Sequence, residues 1–203
     1  PDYIDSITGE VTQLSVIPRS IQQPHPPLWQ MVDSTRSIEF GAENGLGVIM
    51  WRPPVEKLKG HFSHYRSTAK AVGRSLAVGE GCGVMRDTFV AKSMRAAREE
   101  AGKAVMATLN WSNWRGPSIY LAPNEELSKE TALALKGELT YEWVHPRCLL
   151  FGEPTYVVDR LLELREATQL ELVLITSDWR GFDHRSRMKS LDLFAEQVLP
   201  NLG

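Results

Sequence analysis

Residues 24–40 constrain the fold of this chain more than any other segment. Prolines at the start of the segment enforce an extended backbone, and residues 28–32 are short and apolar enough to form a strand buried on both faces. The polar residues Asp33, Ser34 and Thr35 follow, and helical spacing of apolar residues begins after them. The segment therefore predicts a strand, a tight polar turn and a helix.

The same alternation continues along the chain. Apolar runs predict three further strands over residues 46–51, 84–91 and 172–176, each followed by helical periodicity. Strands that alternate with helices form parallel sheets joined by right-handed crossovers. We therefore predict an α/β fold of parallel (β/α) units, and four such units correspond to the C-terminal half of a TIM-type (β/α)8 barrel.

The last predicted helix carries Met188, Leu191, Phe194 and Val198 on one face and stops at Pro200. Residues 1–23 have no strong period and predict an irregular arm, with a turn at residues 8–10 and a short strand at residues 14–17. Residues 24–203 form the predicted barrel portion.

An insertion is predicted at about residues 110–152, where the periodic pattern breaks down. It contains Trp111, Trp114 and Arg115 in one turn-like segment. A segment of this length inside a compact domain is often a lid or a binding loop. We predict a lid here, and the alternative is that the two tryptophans only pack the insertion.

Composition excludes several classes of function. The net charge of −2 gives no general reason to expect a nucleic-acid or membrane partner, and no apolar run approaches the ~20 residues that span a bilayer. Cys82 and Cys148 lie far apart in the sequence and predict reduced thiols of a cytoplasmic protein. His61 and His64 are three residues apart, which alone does not predict a metal site.

Several segments together resemble one family. These are residues 22–29 (Gln-Gln-Pro-His-Pro-Pro-Leu-Trp), 37–47 (Ser-Ile-Glu-Phe-Gly-Ala-Glu-Asn-Gly-Leu-Gly), 152–154 (Gly-Glu-Pro) and 193–200 (Leu-Phe-Ala-Glu-Gln-Val-Leu-Pro). Their order and separations resemble the bacterial luciferase-like flavin monooxygenases. The resemblance covers roughly residues 18–200 and corresponds to the C-terminal half of that family's barrel.

The resemblance implies a monooxygenase that uses reduced FMN and O2 to oxidise a small organic substrate, with a flavin reductase as partner. The deazaflavin F420 is the alternative cofactor, because one branch of the family uses it. The catalytic residues stay unassigned, since the family places most of them in the N-terminal half. A noncatalytic half-barrel that acts through association, with that missing half or as a homodimer, is the third alternative.

Two neighbouring strand ends carry the predicted cofactor site. The matching positions of Asp33 and Ser34 in bacterial luciferase contact the flavin phosphate, so we expect Asp33, Ser34 and Thr35 to bind it through N–H groups and hydroxyls at the helix start. The Asp33 carboxylate must then face away from the phosphate. The alternative is a plain helix cap. Trp51 is expected at the barrel mouth beside the flavin or substrate, or as a rim aromatic, and Arg52 in a surface ion pair rather than on a bound anion.

Substrate and lid residues are expected at the same end of the barrel. Trp111, Trp114 and Arg115 belong to the predicted lid, which would exclude water from the flavin. Asp178 and Trp179 follow the last predicted strand, and we expect a solvated loop there, with a substrate role for Asp178 left open. The sequence shows no nucleophile elbow, and this does not argue against an enzyme whose flavin supplies the chemistry.

Overall fold

The sheet is parallel throughout the part of the chain that the structure describes. This structure is a computed structural model that describes residues 4–11 and 19–203. The five strands of these residues are β1 (Trp29–Met31), β2 (Gly47–Met50), β3 (Cys82–Val90), β4 (Leu150–Gly152) and β5 (Leu172–Thr176). All of their pairings are parallel, which confirms the predicted α/β fold.

Helices connect and follow these strands. In the described ranges the α-helices are α1 (Thr35–Glu43), α2 (Val55–Ala71), α3 (Met94–Trp111), α4 (Lys129–Gly137), α5 (Tyr141–Cys148), α6 (Pro154–Thr168) and α7 (His184–Leu193). A 3-10 segment (Asn113–Tyr120), kinked at Gly116, follows α3, and a π-helical turn (Phe194–Val198) and a short 3-10 turn (Leu199–Asn201) follow α7. Each predicted (β/α) connection is therefore present.

Strand β3 is the centre of the sheet. It pairs with β2 through residues 82–84, with β5 through residues 83–87 and with β4 through residues 88–90. Strand β4 was not predicted, because the three residues of β4 are too few to show a period and follow directly on a helix. The predicted count of four strands is therefore one too low, and residues 150–152, at the end of the predicted insertion, belong to the sheet.

Two hydrophobic clusters lie on the sheet. The first packs α1, α2 and α6 against the strands and includes Val48, Met50 and Val84. The second packs α3 and the insertion helices around Phe89 and Phe151. The insertion therefore has a core of its own, continuous with the carboxyl-terminal part of β3.

Close packing of α1 on the sheet requires a glycine. A Cβ at Gly41 would lie 2.7 Å from Cγ1 of Val48, a distance that side chains do not tolerate. The helix buries Ile38, Gly41 and Ala42, whereas Phe40 is exposed. The helix thus lies against β2 and places its own first turn at the carboxyl ends of β1 and β2.

The face predicted for the last helix is wrong in one position. Met188 is exposed, and Ser190 is buried instead, where its hydroxyl accepts a hydrogen bond of 2.7 Å from the N–H of Val90. The π-helical turn then changes the helical phase and brings Phe194 and Val198 into the core. A regular period of 3.6 residues does not account for such a change.

The described part of the N-terminal arm is a small turn. The Asp5 carboxylate accepts hydrogen bonds from the N–H groups of Ile7 and Thr8, and a bridge joins Ile4 to Val11. The short strand predicted at residues 14–17 lies outside the described residues. Within residues 4–11 and 19–203, no helix combines the length and apolar character needed to cross a membrane.

Candidate functional site

A cavity of about 390 Å³ opens at the carboxyl ends of β1 and β2. This is the edge at which parallel (β/α) proteins bind ligands, because each strand gives way there to a loop and a helix N-terminus. The lining residues are Met31, Val32, Asp33, Ile38, Met50, Trp51, Arg52, Pro53, Lys57, His61, Ser112, Trp114, Arg115 and Ile119. The cavity therefore brings together four of the predicted site residues: Asp33, Trp51, Trp114 and Arg115.

The corner at residues 33–35 is an exposed helix start. The Ser34 hydroxyl accepts a hydrogen bond from the N–H of Ser37, and Ser37 Oγ accepts one from the N–H of Ser34, so that the two serines form a reciprocal cap. Thr35 is the first helical residue. The capping role of Ser34 is confirmed, and phosphate binding at this corner stays a prediction.

The Asp33 carboxylate points to the insertion. Its Oδ2 lies 2.6 Å from Nη1 of Arg115, and the Arg115 guanidinium also lies 4.4 Å from the centre of the Trp114 ring. The two predicted groups, the cofactor corner and the lid, are thus joined directly by an ion pair. The ion pair turns the Asp33 carboxylate toward Arg115 and away from the N–H groups at the start of α1.

Trp51 is held in the cavity wall by a buried acid that the sequence reasoning missed. Asp87, in the middle of β3 and 2% exposed, accepts hydrogen bonds from the indole Nε1 of Trp51 at 2.8 Å and of Trp179 at 2.7 Å. Burial raises the pKa of the Asp87 carboxyl, although both indole hydrogen bonds act to lower it. The signal available in the sequence was a charged pair, Arg86-Asp87, inside a run predicted to be a buried strand.

Arg52 is buried, so the predicted surface ion pair is wrong. The residue is 6% exposed, its guanidinium lies 3.7 Å from the centre of the Trp51 ring, and Nη2 donates to Oγ of Ser112 at 2.7 Å. Its backbone has φ of 127°, a conformation that side-chain-bearing residues rarely adopt. The insertion covers this arginine, because Ser112 follows α3 directly.

A second buried arginine supports the loop after β2 from below. Arg86 donates from Nη2 to the carbonyl of Pro53 at 2.6 Å, and burial lowers its pKa to about 10. The carbonyl that it binds lies one residue beyond Arg52. Arg86 therefore stabilises the backbone that carries Arg52 into the cavity.

Contacts from three elements hold the insertion over the cavity. They are the Arg115–Asp33 ion pair, the Arg52–Ser112 hydrogen bond and a hydrogen bond of 2.9 Å from Nζ of Lys57 to the carbonyl of Ser118. Despite this attachment, Trp111 is 87% exposed and Trp114 is 74% exposed. The insertion therefore buries neither tryptophan, and Trp114 lines the cavity whereas Trp111 does not. The lid stays a prediction.

The loop after β5 divides into an exposed and a buried part. Asp178 is exposed, lies outside the cavity lining and forms an ion pair of 2.9 Å with Arg187. Trp179 is 2% exposed and packs against Phe151 and Phe182, with ring centres 5.2 Å apart in both pairs. The expected solvated loop is wrong for Trp179, and Asp178 is not brought to the other predicted site residues.

Among the residues that the structure describes, the two cysteines and His61 form no second site apart from the cavity. Cys82 and Cys148 are buried free thiols, and burial raises the pKa of each to about 12. His61 lines the cavity, and burial together with the charges of Lys57 and His64 lowers its pKa. Over the described ranges, no three His, Cys, Asp or Glu side chains come together as a metal site.

Known proteins match both the sequence and the fold. Residues 3–170 match the model of the luciferase-like monooxygenase family. The chain is 25% identical over 194 residues to the oxygenase component of the flavin-dependent trigonelline monooxygenase of Acinetobacter baylyi (strain ATCC 33305 / BD413 / ADP1), covering 90% of this chain and 50% of that protein. The chain thus spans about half the length of the curated relative it matches.

Solved structures of similar fold agree with this. The oxygenating constituent of 3,6-diketocamphane monooxygenase from Pseudomonas putida, solved with FMN, gives a TM-score of 0.65 at 16% identity and covers 88% of this chain and 50% of that one. The F420-dependent tetrahydromethanopterin reductase of Methanopyrus kandleri gives 0.63 at 17% identity, covering 87% and 50%. These matches over half of each neighbour confirm the predicted half-barrel, and the family match shows that the chain belongs to the luciferase-like monooxygenases.

Proposed function

We propose that this chain supplies the C-terminal half of the barrel of an FMN-dependent oxygenase component, which uses reduced FMN and O2 to oxidise a small organic substrate. The observation that carries the proposal is the cavity at the carboxyl ends of β1 and β2, in a chain that belongs to the luciferase-like monooxygenases. Bound flavin would supply the reaction with oxygen. The residues of this chain bind, orient and shield it.

The start of α1 suits the flavin phosphate. The N–H groups of Thr35 and Arg36, the first two helical residues, have no partner within the helix, and the helix dipole favours an anion beside them. Because Arg115 holds the Asp33 carboxylate, its negative charge is balanced at this corner. The Ser34 hydroxyl lies within the same turn and can turn its proton to a phosphate, whereas Ser37 Oγ already donates to the carbonyl of Ser34 at 2.8 Å.

The walls of the cavity suit a flat ring system. Met31, Ile38, Met50 and Trp51 supply apolar and aromatic surface, and Asp87 fixes the Trp51 indole. The insertion covers one side, and its contacts from Ser112, Trp114 and Arg115 would exclude water from the bound flavin.

The proposal includes two partners. A separate flavin reductase is supported by the relative that is an oxygenase component. The rest of the barrel is supported by the relatives' length and by the sheet, since within the described residues β1 pairs only with β2, and β4 and β5 pair only with β3. Sedimentation of the protein tests whether a second copy associates with it, or whether it stays a monomer until the other half-barrel is added.

Anaerobic titration with reduced FMN tests the cofactor. We expect FMN to bind more tightly than riboflavin, and Ser34→Ala to reduce this preference for the phosphate. Ser93→Ala is the matched control, because Ser93 caps a different helix, α3, by the same kind of hydrogen bond. Absence of flavin binding, with and without the other half-barrel, would overturn the proposal.

An F420-dependent oxidoreductase is the second candidate, since enzymes that use F420 share the fold at a similar TM-score. The same titration separates the two. Tighter binding of F420 than of FMN would favour this second candidate.

A further inference from the structure

The cavity contains a buried cation without a carboxylate partner. Arg52 forms no ion pair within residues 4–11 and 19–203, and its Nε–H is buried and has no hydrogen-bond partner there. A guanidinium carries five N–H donors, and one of them donates to Ser112. The buried Tyr120 hydroxyl is the other polar group beside the guanidinium, and it has no hydrogen bond of good geometry among the described residues. Leaving a buried charge this poorly satisfied is unfavourable unless a ligand completes it.

The backbone at Arg52 is also strained. A φ of 127° is rare for a residue with a Cβ, and Arg86 holds the adjacent backbone in place through the carbonyl of Pro53. Stacking on Trp51 then fixes the plane of the guanidinium. The strained backbone, the Arg86 hydrogen bond and the stacking on Trp51 therefore hold the Arg52 side chain in one orientation at the cavity, at a cost in stability.

The charges that face the cavity are mostly positive. Lys57 and Arg115 line it together with Arg52, whereas the lowered pKa of His61 leaves its imidazole neutral at neutral pH. Asp33 is the one carboxylate among the lining residues, and Arg115 binds it. Asp87 lies behind Trp51, outside the lining, and both of its oxygens accept from indole N–H groups. The charge of Arg52 acts on Asp87 and lowers its pKa, but no ion pair joins the two side chains among the described residues. An anion in the cavity would therefore meet a guanidinium that no carboxylate contacts directly.

We propose that Arg52 binds an oxyanion of the organic substrate, specifically a carboxylate, with Nε and Nη as donors. This inference rests on the proposed function, because it assigns the anion to the substrate and the start of α1 to the flavin phosphate. The two positions follow different strands, β1 and β2, and Asp33 is the residue of the 33–35 corner that lines the cavity, so the two anions would occupy separate places. A planar fork of donors matches a carboxylate in two-point contact.

Binding of matched probes tests the inference. Benzoate and benzamide have the same shape and differ in charge, so calorimetric titration of the protein with both measures recognition of the carboxylate. We expect benzoate to bind about ten- to hundredfold more tightly than benzamide, and Arg52→Gln to remove this preference. Arg180→Gln is the control, since Arg180 is exposed and does not line the cavity.

A parallel titration with FMN and riboflavin separates the two sources of an oxyanion. We expect Arg52→Gln to leave the ratio of FMN to riboflavin affinity unchanged. If the variant loses that ratio and keeps its preference for benzoate, Arg52 binds the flavin phosphate and the inference is overturned. Failure of FMN to bind at all would count against the proposed function and leave the benzoate result standing.

A measurement on the unaltered protein covers the case in which Arg52→Gln does not fold. With ¹⁵N-arginine labelling, a buried Nε–H that gains an oxyanion partner shifts strongly downfield. We expect benzoate, but not benzamide, to shift the Nε–H signal of a slowly exchanging arginine. Equal affinity for both probes, or no such shift on saturation with benzoate, would overturn the inference.

Discussion

Two pairs of tryptophans lie at the same end of the sheet and differ in almost every physical respect. Trp51 and Trp179 come from loops after β2 and β5, and one buried carboxylate, Asp87, accepts a hydrogen bond from each indole. Trp111 and Trp114 come from the insertion and are 87% and 74% exposed. The first pair is anchored to the sheet through Asp87, and the second pair lies in the insertion that covers the cavity.

The difference lies in what satisfies the indole N–H. A buried tryptophan needs an acceptor, and Asp87 provides two from the centre of the sheet, where its position is fixed by the β3 ladder. An exposed tryptophan bonds to water instead and needs no acceptor from the protein. A buried wall binds a ligand, and a covering segment shields it.

Truncation of the anchored pair gives the largest expected effect. Trp179→Ala removes a ring packed among Phe89, Phe151 and Phe182, and we expect a loss of about 3–5 kcal/mol in the free energy of unfolding. Chemical denaturation measures it. Trp114→Ala, the exposed counterpart, is expected to change stability by no more than about 0.5 kcal/mol. Similar losses in both variants would contradict the comparison.

Removal of the shared acceptor comes next. Asp87→Ala leaves two indole N–H groups without a partner, at about 1–3 kcal/mol each, and relieves the desolvation of the carboxylate, so we expect a net loss of roughly 2 kcal/mol. Denaturation of Asp178→Ala provides the control, because Asp178 is exposed and pairs only with Arg187 among the described residues. No loss in Asp87→Ala would show that the indoles find other acceptors.

The titration of Asp87 gives a smaller effect with a defined sign. Burial raises its pKa above the ordinary 3.8, so the folded protein binds a proton more tightly than the unfolded chain does. Stability contributed by this group therefore falls as pH rises from about 3.8 through the raised pKa, by at most about 1.4 kcal/mol per pH unit. Denaturation at several pH values should show this slope as the difference between the protein and Asp87→Ala, since carboxyls with a lowered pKa, such as Asp183, change stability in the opposite sense.

Features that depend on residues close together in the sequence could be predicted, and features that depend on residues far apart in the sequence could not. Alternating strands and helices and the Ser34 cap follow from patterns a few residues long, and they place the cavity at the correct strand ends. The environments of Arg52 and Trp179 do not follow, because their partners are far along the chain, at Ser112 and Asp87. A local pattern cannot show a contact that only the folded sheet creates.

The missed strand has a similar cause. Three apolar residues that follow a helix at Cys148 carry no period, and β4 is defined only by its pairing with β3. Asp87 itself was within reach, because a charged pair inside a predicted buried strand needs an explanation. Such a pair in a parallel strand is better treated as a site prediction than as an exception to the pattern.

The ion pair that joins the loop after β1 to the insertion is expected to contribute little to stability. Asp33 and Arg115 are both partly exposed, so removal of the pair by Arg115→Gln should change the free energy of unfolding by only about 0.2–1 kcal/mol. Raising the salt concentration should reduce that difference. Limited proteolysis then measures how firmly the insertion is held over the cavity. We expect faster cleavage within residues 112–128 in Arg115→Gln. We expect no change in Arg95→Gln, because the i,i+4 pair of Arg95 with Glu99 lies on α3. Equal cleavage rates would show that the other two contacts hold the insertion on their own.

The smallest expected difference is between the effects of Trp114 and Trp111 on flavin binding, and it tests whether the insertion shields bound flavin. Trp114 lines the cavity and carries the Arg115 guanidinium on its ring, whereas Trp111, three residues earlier, does neither. If the insertion shields bound flavin, Trp114→Ala should weaken reduced FMN binding by about three- to tenfold, the size of one cation–π and apolar contact, and Trp111→Ala should leave it unchanged. Anaerobic titration followed by flavin absorbance measures both variants without relying on tryptophan fluorescence. Equal effects of the two substitutions would mean that exposure alone governs them and that the insertion does not close on the flavin.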